Sequence, residues 1–199
     1  MTKSKCEIID DCKKWYYNDE LHREDGPAVE RANGTKLWFV NGWLHRLDGP
    51  AVEYADGSKE WWINGQHHRL DGPAVEIING YKAWWVNGNY HRLDGPAVEY
   101  EDNSREWFLN GNLHREDGPA VEWQNGHKEW WVNGKRHRLD GPAIVWTHGT
   151  KEWWINGVNY SANEQFEIDV TKFLFNTNQE VAKLIVGLLN DKSILSSAE

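Results

Sequence analysis

The tetrad His-Arg-x-Asp, followed each time by Gly-Pro-Ala, occurs six times at one fixed spacing. Its histidines, His22, His45, His68, His91, His114 and His137, stand 23 residues apart without an insertion. An aromatic pair keeps the same period, beginning at Trp15, Trp38, Trp61, Trp84, Trp107, Trp130 and Trp153, each followed by Tyr, Phe or Trp. A period held this strictly means that one unit is a small supersecondary element burying its apolar face against the next copy. The chain should therefore grow by stacking rather than by closing around one deep core.

Composition agrees with a thin body. Of 199 residues, 39% are hydrophobic, and the mean hydropathy is -0.80, low for a chain that must fill a large interior. The formal charge of -9 argues against nucleic acid and anionic membranes as partners, because such surfaces are bound by phosphate neutralisation. No apolar run of spanning length is present, and Met1 to Lys14 is mixed polar and acidic rather than a charged-then-apolar leader. The expectation is a soluble cytoplasmic protein with no membrane span. Cys6 and Cys12 are the only cysteines, too few for a disulfide framework or a zinc site.

The unit from Ser58 to Gly80 shows what one copy builds. Asn64-Gly65 and Asn79-Gly80 are turn pairs, since Asn and Gly tolerate the positive φ that tight hairpins demand. The first turn recurs at Asn41, Asn87, Asn110, Asn133 and Asn156. Charge sets the register at the second type of turn. A two-residue loop at Asp56-Gly57 would set Glu53 against Glu60, whereas a three-residue loop ending in a left-handed Gly57 sets Glu53 against Lys59. The second is predicted. Alternation from Lys59 to Ile63 places Glu60 and Trp62 on one face and Trp61 and Ile63 on the other. Asp71-Gly72-Pro73 should split the following strand, because proline cannot donate to a ladder. The half before it pairs back with the Trp-Trp strand and the half after it with the next repeat. The fold class predicted is mainly β, an elongated antiparallel β-hairpin repeat rod with a small α-helical C-terminal cap.

Trp62, Gly65 and His68, as Trp-x-x-Gly-x-x-His followed by a second turn glycine, resemble the MORN repeat, whose unit is a 23-residue β-hairpin. The likeness covers about Cys6 to Tyr160, and the usual His-Gly-x-Gly is replaced here by His-Arg-x-Asp-Gly-Pro-Ala. That variant is similar to repeats of bacteriophages and large DNA viruses. What the resemblance implies is a phage or viral product that engages or inhibits a host protein.

The organisation predicted is a degenerate half-repeat over 1–14, repeats over 15–160 and a helical cap over 161–199. Ser161-Ala-Asn-Glu164 and Thr177 with Glu180 read as capping boxes, giving helices near 162–175 and 178–190. Leu184, Leu188 and Leu189 fall on one stripe of the second, suited to covering the last strand edge or to forming a homodimer.

His68 and Asp71 invite an enzyme reading, as base and orienter. A motif repeated six times at equal spacing is instead what inter-repeat joints require, so the expectation is no enzyme, no cofactor and no metal. Arg69 and Asp71 should form ion pairs and backbone bonds, with the imidazole of His68 serving a turn or stacking on Trp61. Function is expected where copies differ. One variable column follows the first turn and includes Trp43, Leu44, His67, Tyr90 and Leu113; a second includes Tyr54, Tyr100, Trp123 and Trp146. Exposed aromatics of this kind suit capture of a protein partner. The alternative is a scaffold that only self-associates.

Overall fold

A computed structural model describes residues 4–161. It comprises two compact units, one ending at Asn112 and one beginning at Leu113. All regular elements among the described residues are strands in antiparallel pairs, as the period predicts. The helices expected near 162–175 and 178–190, with Leu184, Leu188 and Leu189, lie outside the described residues.

The repeat beginning at Ser58 contributes two short strands to a meandering sheet. Lys59–Glu60 sits between Val52–Glu53 and Val75–Glu76, and Val75–Glu76 pairs onward with Lys82–Ala83. The first unit repeats this from Lys5–Ile9 to Arg105–Glu106, and the second unit from Val121–Glu122 to Lys151–Glu152. Between Val52–Glu53 and Lys59–Glu60 the register is Glu53 opposite Lys59, with Gly57 at φ 94°, the charge-matched choice. The same register sets Glu30 against Lys36, Glu76 against Lys82, Glu99 against Arg105 and Glu122 against Lys128, where two glutamates would have repelled.

From the second copy on, a second pair of strands leaves this sheet, while in the first Glu20–Leu21 stays paired within it. Trp62–Ile63 pairs with Gln66–His67 around Asn64 (φ 49°) and Gly65 (φ 73°), the two-residue hairpin that Asn-Gly specifies. The sequence reading treats Lys59 to Ile63 as one strand, but the structure divides it at Trp61. The Trp61 N–H donates to the Ala74 carbonyl, continuing the main ladder, while its own carbonyl accepts from His68 N–H, starting the hairpin. From Trp38 on, each first tryptophan is thus the branch point between two sheets. The half-strand after Pro73 also differs from expectation, since it pairs with the strand before it as well as with the next. Bending at Asp71-Gly72-Pro73 returns the chain far enough to lie beside Lys59–Glu60.

The core is narrow. Ala51, Ala74 and Ala97 are fully buried, with Val52 and Val98 beside them, and Ala120, Ala143 and Ile144 hold the same positions in the second unit. Alanine and valine suffice because each layer is only one hairpin thick, which explains the low mean hydropathy of a folded chain. At the N-terminus Lys5–Ile9 and Cys12–Tyr17 form a hairpin across Asp10 and Asp11, both at positive φ, so aspartates replace the turn glycine there.

Candidate functional site

The invariant motif forms the joints. Arg69 Nε donates to Asp71 Oδ1 at 2.9 Å, its Nη1 donates to the Pro73 carbonyl and to Glu76, and its guanidinium lies 3.9 Å from the Trp61 ring centre. Arg23, Arg46, Arg92 and Arg138 repeat the stacking and the Arg-to-Asp bond. Of the two roles expected for the imidazole, stacking on Trp61 is corrected, because the planar guanidinium fills that place. His68 turns instead to the next repeat. Asn87 N–H donates to His68 Nδ1 at 3.2 Å, and Asn87 Oδ1 lies 2.8 Å from the same nitrogen. The same clasp joins His22 to Asn41, His45 to Asn64 and His91 to Asn110, and in the second unit His114 to Asn133 and His137 to Asn156. His68 and Asp71 are therefore each bonded elsewhere rather than to one another.

The variable residues meet on a different group, a carboxylate two positions before the second aromatic. Glu60 accepts from Tyr54 Oη at 2.7 Å and from Trp62 Nε1 at 2.8 Å, and lies 3.0 Å from His67 Nε2. Both variable columns thus converge on it. Burial pushes the Glu60 carboxyl up, but the bonds from His67, Tyr54 and Trp62 outweigh this and hold it below the usual carboxylate range. Burial, followed by the bond to Glu60, raises the Tyr54 phenol to about 12. In the second unit Glu129 takes Trp131 Nε1 and Arg136 Nε and lies 2.8 Å from His127 Nε2, while Glu152 takes the indole N–H groups of Trp146 and Trp154.

Rings stack along this face. Within the first unit the centroid distances are 3.6 Å from Trp62 to His67, 5.3 Å from His67 to Trp85, 3.8 Å from Trp85 to Tyr90 and 5.0 Å from Tyr90 to Phe108. Tyr100 lies 5.7 Å from Tyr81, and burial together with the Glu106 charge raises its phenol to about 12. Trp146 stacks on His127 at 4.4 Å. Of the other residues singled out in the sequence, Trp43 is 62% exposed and lies against the turn glycine Gly65, Trp123 is 36% exposed, and Leu44 and Leu113 are half-buried, their carbonyls bonding Gly65 and Gly134.

The carboxylate row was not identifiable as a shared acceptor from sequence. Its signal was the pairing of Glu with a second-position Trp two residues on, present at Glu60, Glu129 and Glu152. The copy that begins at Tyr81 breaks it. Ala83 replaces the glutamate and is fully buried, Tyr81 bonds Tyr90, and the Trp85 Nε1 is buried without an acceptor. A cleft of about 390 Å³ at the N-terminal hairpin, lined by Lys5, Glu7, Tyr16, Tyr17, Asn18 and Asp19, holds none of these residues. Among the described residues no cluster of His, Cys, Asp and Glu is arranged to hold a metal, and no helix is long and apolar enough to cross a membrane. The chain matches no protein-family model, and no curated protein is similar to it at a significant level.

Proposed function

We propose that this chain is a non-enzymatic protein-binding repeat protein whose working surface is the aromatic and carboxylate face built from the variable columns. The observation that supports this reading is the convergence of Tyr54, Trp62 and His67 on Glu60. The invariant residues are spent on joints, while Tyr54, His67 and Tyr90, which change from copy to copy, lie on the aromatic face, and the variable Trp43 lies open to solvent against the Gly65 turn. Tryptophan and tyrosine held by neighbours lose little entropy on binding, which is why such side chains dominate protein interfaces. The likeness of the repeats to those of phages and large DNA viruses makes a host protein, bound or inhibited by occlusion, the partner proposed.

Affinity capture from host lysate followed by titration with the recovered partner tests the reading. Trp43→Ala and Trp123→Ala should each weaken binding by about 2 kcal/mol or more with unfolding unchanged. His68→Ala should lower stability by roughly 1 to 3 kcal/mol, as loss of a hydrogen-bond partner does, and leave binding intact. Full capture by both tryptophan variants, or an activity abolished by one histidine in a stable protein, overturns it. Self-association is the second reading. It is favoured by the edge strand Lys5–Ile9, whose Ile8 is 73% exposed, and predicts a concentration-dependent mass in sedimentation that Ile8→Lys abolishes.

A further inference from the structure

One apolar feature of the first unit belongs neither to the joints nor to the aromatic face. The third residue of the His-Arg-x-Asp tetrad is Leu47, Leu70 and Leu93 in three successive copies, and these are 79%, 80% and 82% exposed. Leucines this open contribute nothing to the core, and three at one position of the repeat form a row rather than a scatter. The next residue is in each case an exposed aspartate: Asp71 is 83% exposed and gives one oxygen, Oδ1, to an Arg69 that is itself only 20% exposed. The charge beside each leucine that meets solvent is therefore the carboxylate. The arginine beneath also keeps these carboxyls below their usual range, so they stay ionised in mild acid. Glu24 holds the same position in the preceding copy, its side chain 53% exposed.

Spacing narrows the partner. Each repeat adds two strands to the main sheet, so successive leucines stand about 9.5 Å apart. A helix returns a side chain to the same face every seventh residue, about 10.5 Å along its axis. A β-strand cannot match this, because its third residue, at about 10 Å, points to the opposite face. A polyproline helix repeats at about 9.3 Å, but its two intervening residues point to other faces and leave the space between the leucine knobs unfilled. Charge excludes two other occupants. A second copy carries -9, and residues 162–199 hold Glu164, Glu167, Asp169, Glu180, Asp191 and Glu199 against three lysines.

We propose that Leu47, Leu70 and Leu93, with Asp48, Asp71, Asp94 and Glu24, form a docking stripe for a basic amphipathic helix of another protein, apolar at every seventh residue. The stripe is independent of the aromatic face, so either assignment can fail alone. The test uses the full chain and a labelled synthetic helix of about three heptads, leucine at a and d and lysine on the flanks, followed by fluorescence anisotropy at low salt. Binding should weaken at least tenfold in Leu47→Ser/Leu70→Ser/Leu93→Ser, whose melting temperature stays that of the parent because the side chains pack on nothing. It should also weaken in high salt and persist in Trp43→Ala/Tyr90→Ala. No binding by this probe, equal binding by the triple variant, or equal binding of a glutamate-flanked or proline-rich peptide overturns the proposal. So does loss of binding in the aromatic variant, or a change of oligomeric state in the leucine variant.

Discussion

Arg69 reaches four groups with one planar fork: the Trp61 ring, Asp71, the Pro73 carbonyl and Glu76. The glycine that follows Asp71 is there for space. A Cβ on Gly72 would stand 2.9 Å from the Arg69 guanidinium carbon, against a group already pinned on its other face by Trp61. Lysine cannot reproduce the fork, so Arg69→Lys should lower the unfolding free energy in urea by roughly 1 to 3 kcal/mol. Asp71→Asn should cost distinctly less, because its carboxylate is solvent-exposed and such pairs are weak. Equal losses would mean that the ion pair, not the stack, holds the loop. His137 supplies a pH signature. Burial lowers its pKa, only partly offset by the Asn156 side-chain bond. The unfolded chain therefore binds the proton first, and stability present above the ordinary histidine pKa of about 6.5 is lost as pH falls through the lower folded value. In thermal melts at about pH 7.5 and about pH 5, on either side of the ordinary histidine pKa, His137→Gln should show a smaller difference than the parent.

The hairpins show how the second-position aromatic, the carboxylate and the turn residue before it work as a set. Ser58, Glu60 and Trp62 form one version, and Tyr81, Ala83 and Trp85 the other, in which Trp85 Nε1 loses its acceptor. Tyr81→Ser alone should destabilise its repeat by removing the bond to Tyr90, and adding Ala83→Glu should recover part of the loss by giving Trp85 its acceptor; a double variant less stable than Tyr81→Ser in chemical denaturation would refute the exchange. Turns and register were legible in the sequence because they are local: Asn64-Gly65 dictates its hairpin, and Glu53 facing Lys59 follows from charge. The branch at Trp61 was not, since it depends on Ala74 and His68 offering bonds to the two sides of one peptide. The Glu60 hub was half legible. Alternation placed Glu60 and Trp62 together, but the arrival of Tyr54 and His67 from two other strands is a property of the folded sheet.

At the scale of the whole molecule, bonds between copies run from each repeat to its neighbour, as in Gly65 N–H to the Leu44 carbonyl and Arg69 N–H to the Trp85 carbonyl. Stability should then be close to a sum over copies and joints. Excising Ser58 to Gly80 should leave a folded β protein of lower denaturation midpoint, whereas removing one residue fewer should lower the midpoint further, because the leftover residue sets the strand at the junction out of register while later copies keep their own. Equal midpoints for the two deletions would show that register is not carried by the period. The same joints bear on how the protein ages. Asn-Gly is prone to spontaneous deamidation, in which the glycine nitrogen attacks the asparagine side-chain carbonyl carbon, ammonia leaves as the succinimide closes, and water opens the ring to aspartate or isoaspartate. At each Asn-Gly of the first-turn type that nitrogen is held in a bond to the preceding copy, and the asparagine amide lies against a histidine in the clasps of His45, His68 and His91. Chemical decay of this asparagine-rich chain should therefore be slow while it is folded and rapid once a repeat opens, making accumulated isoaspartate a record of how often it has done so.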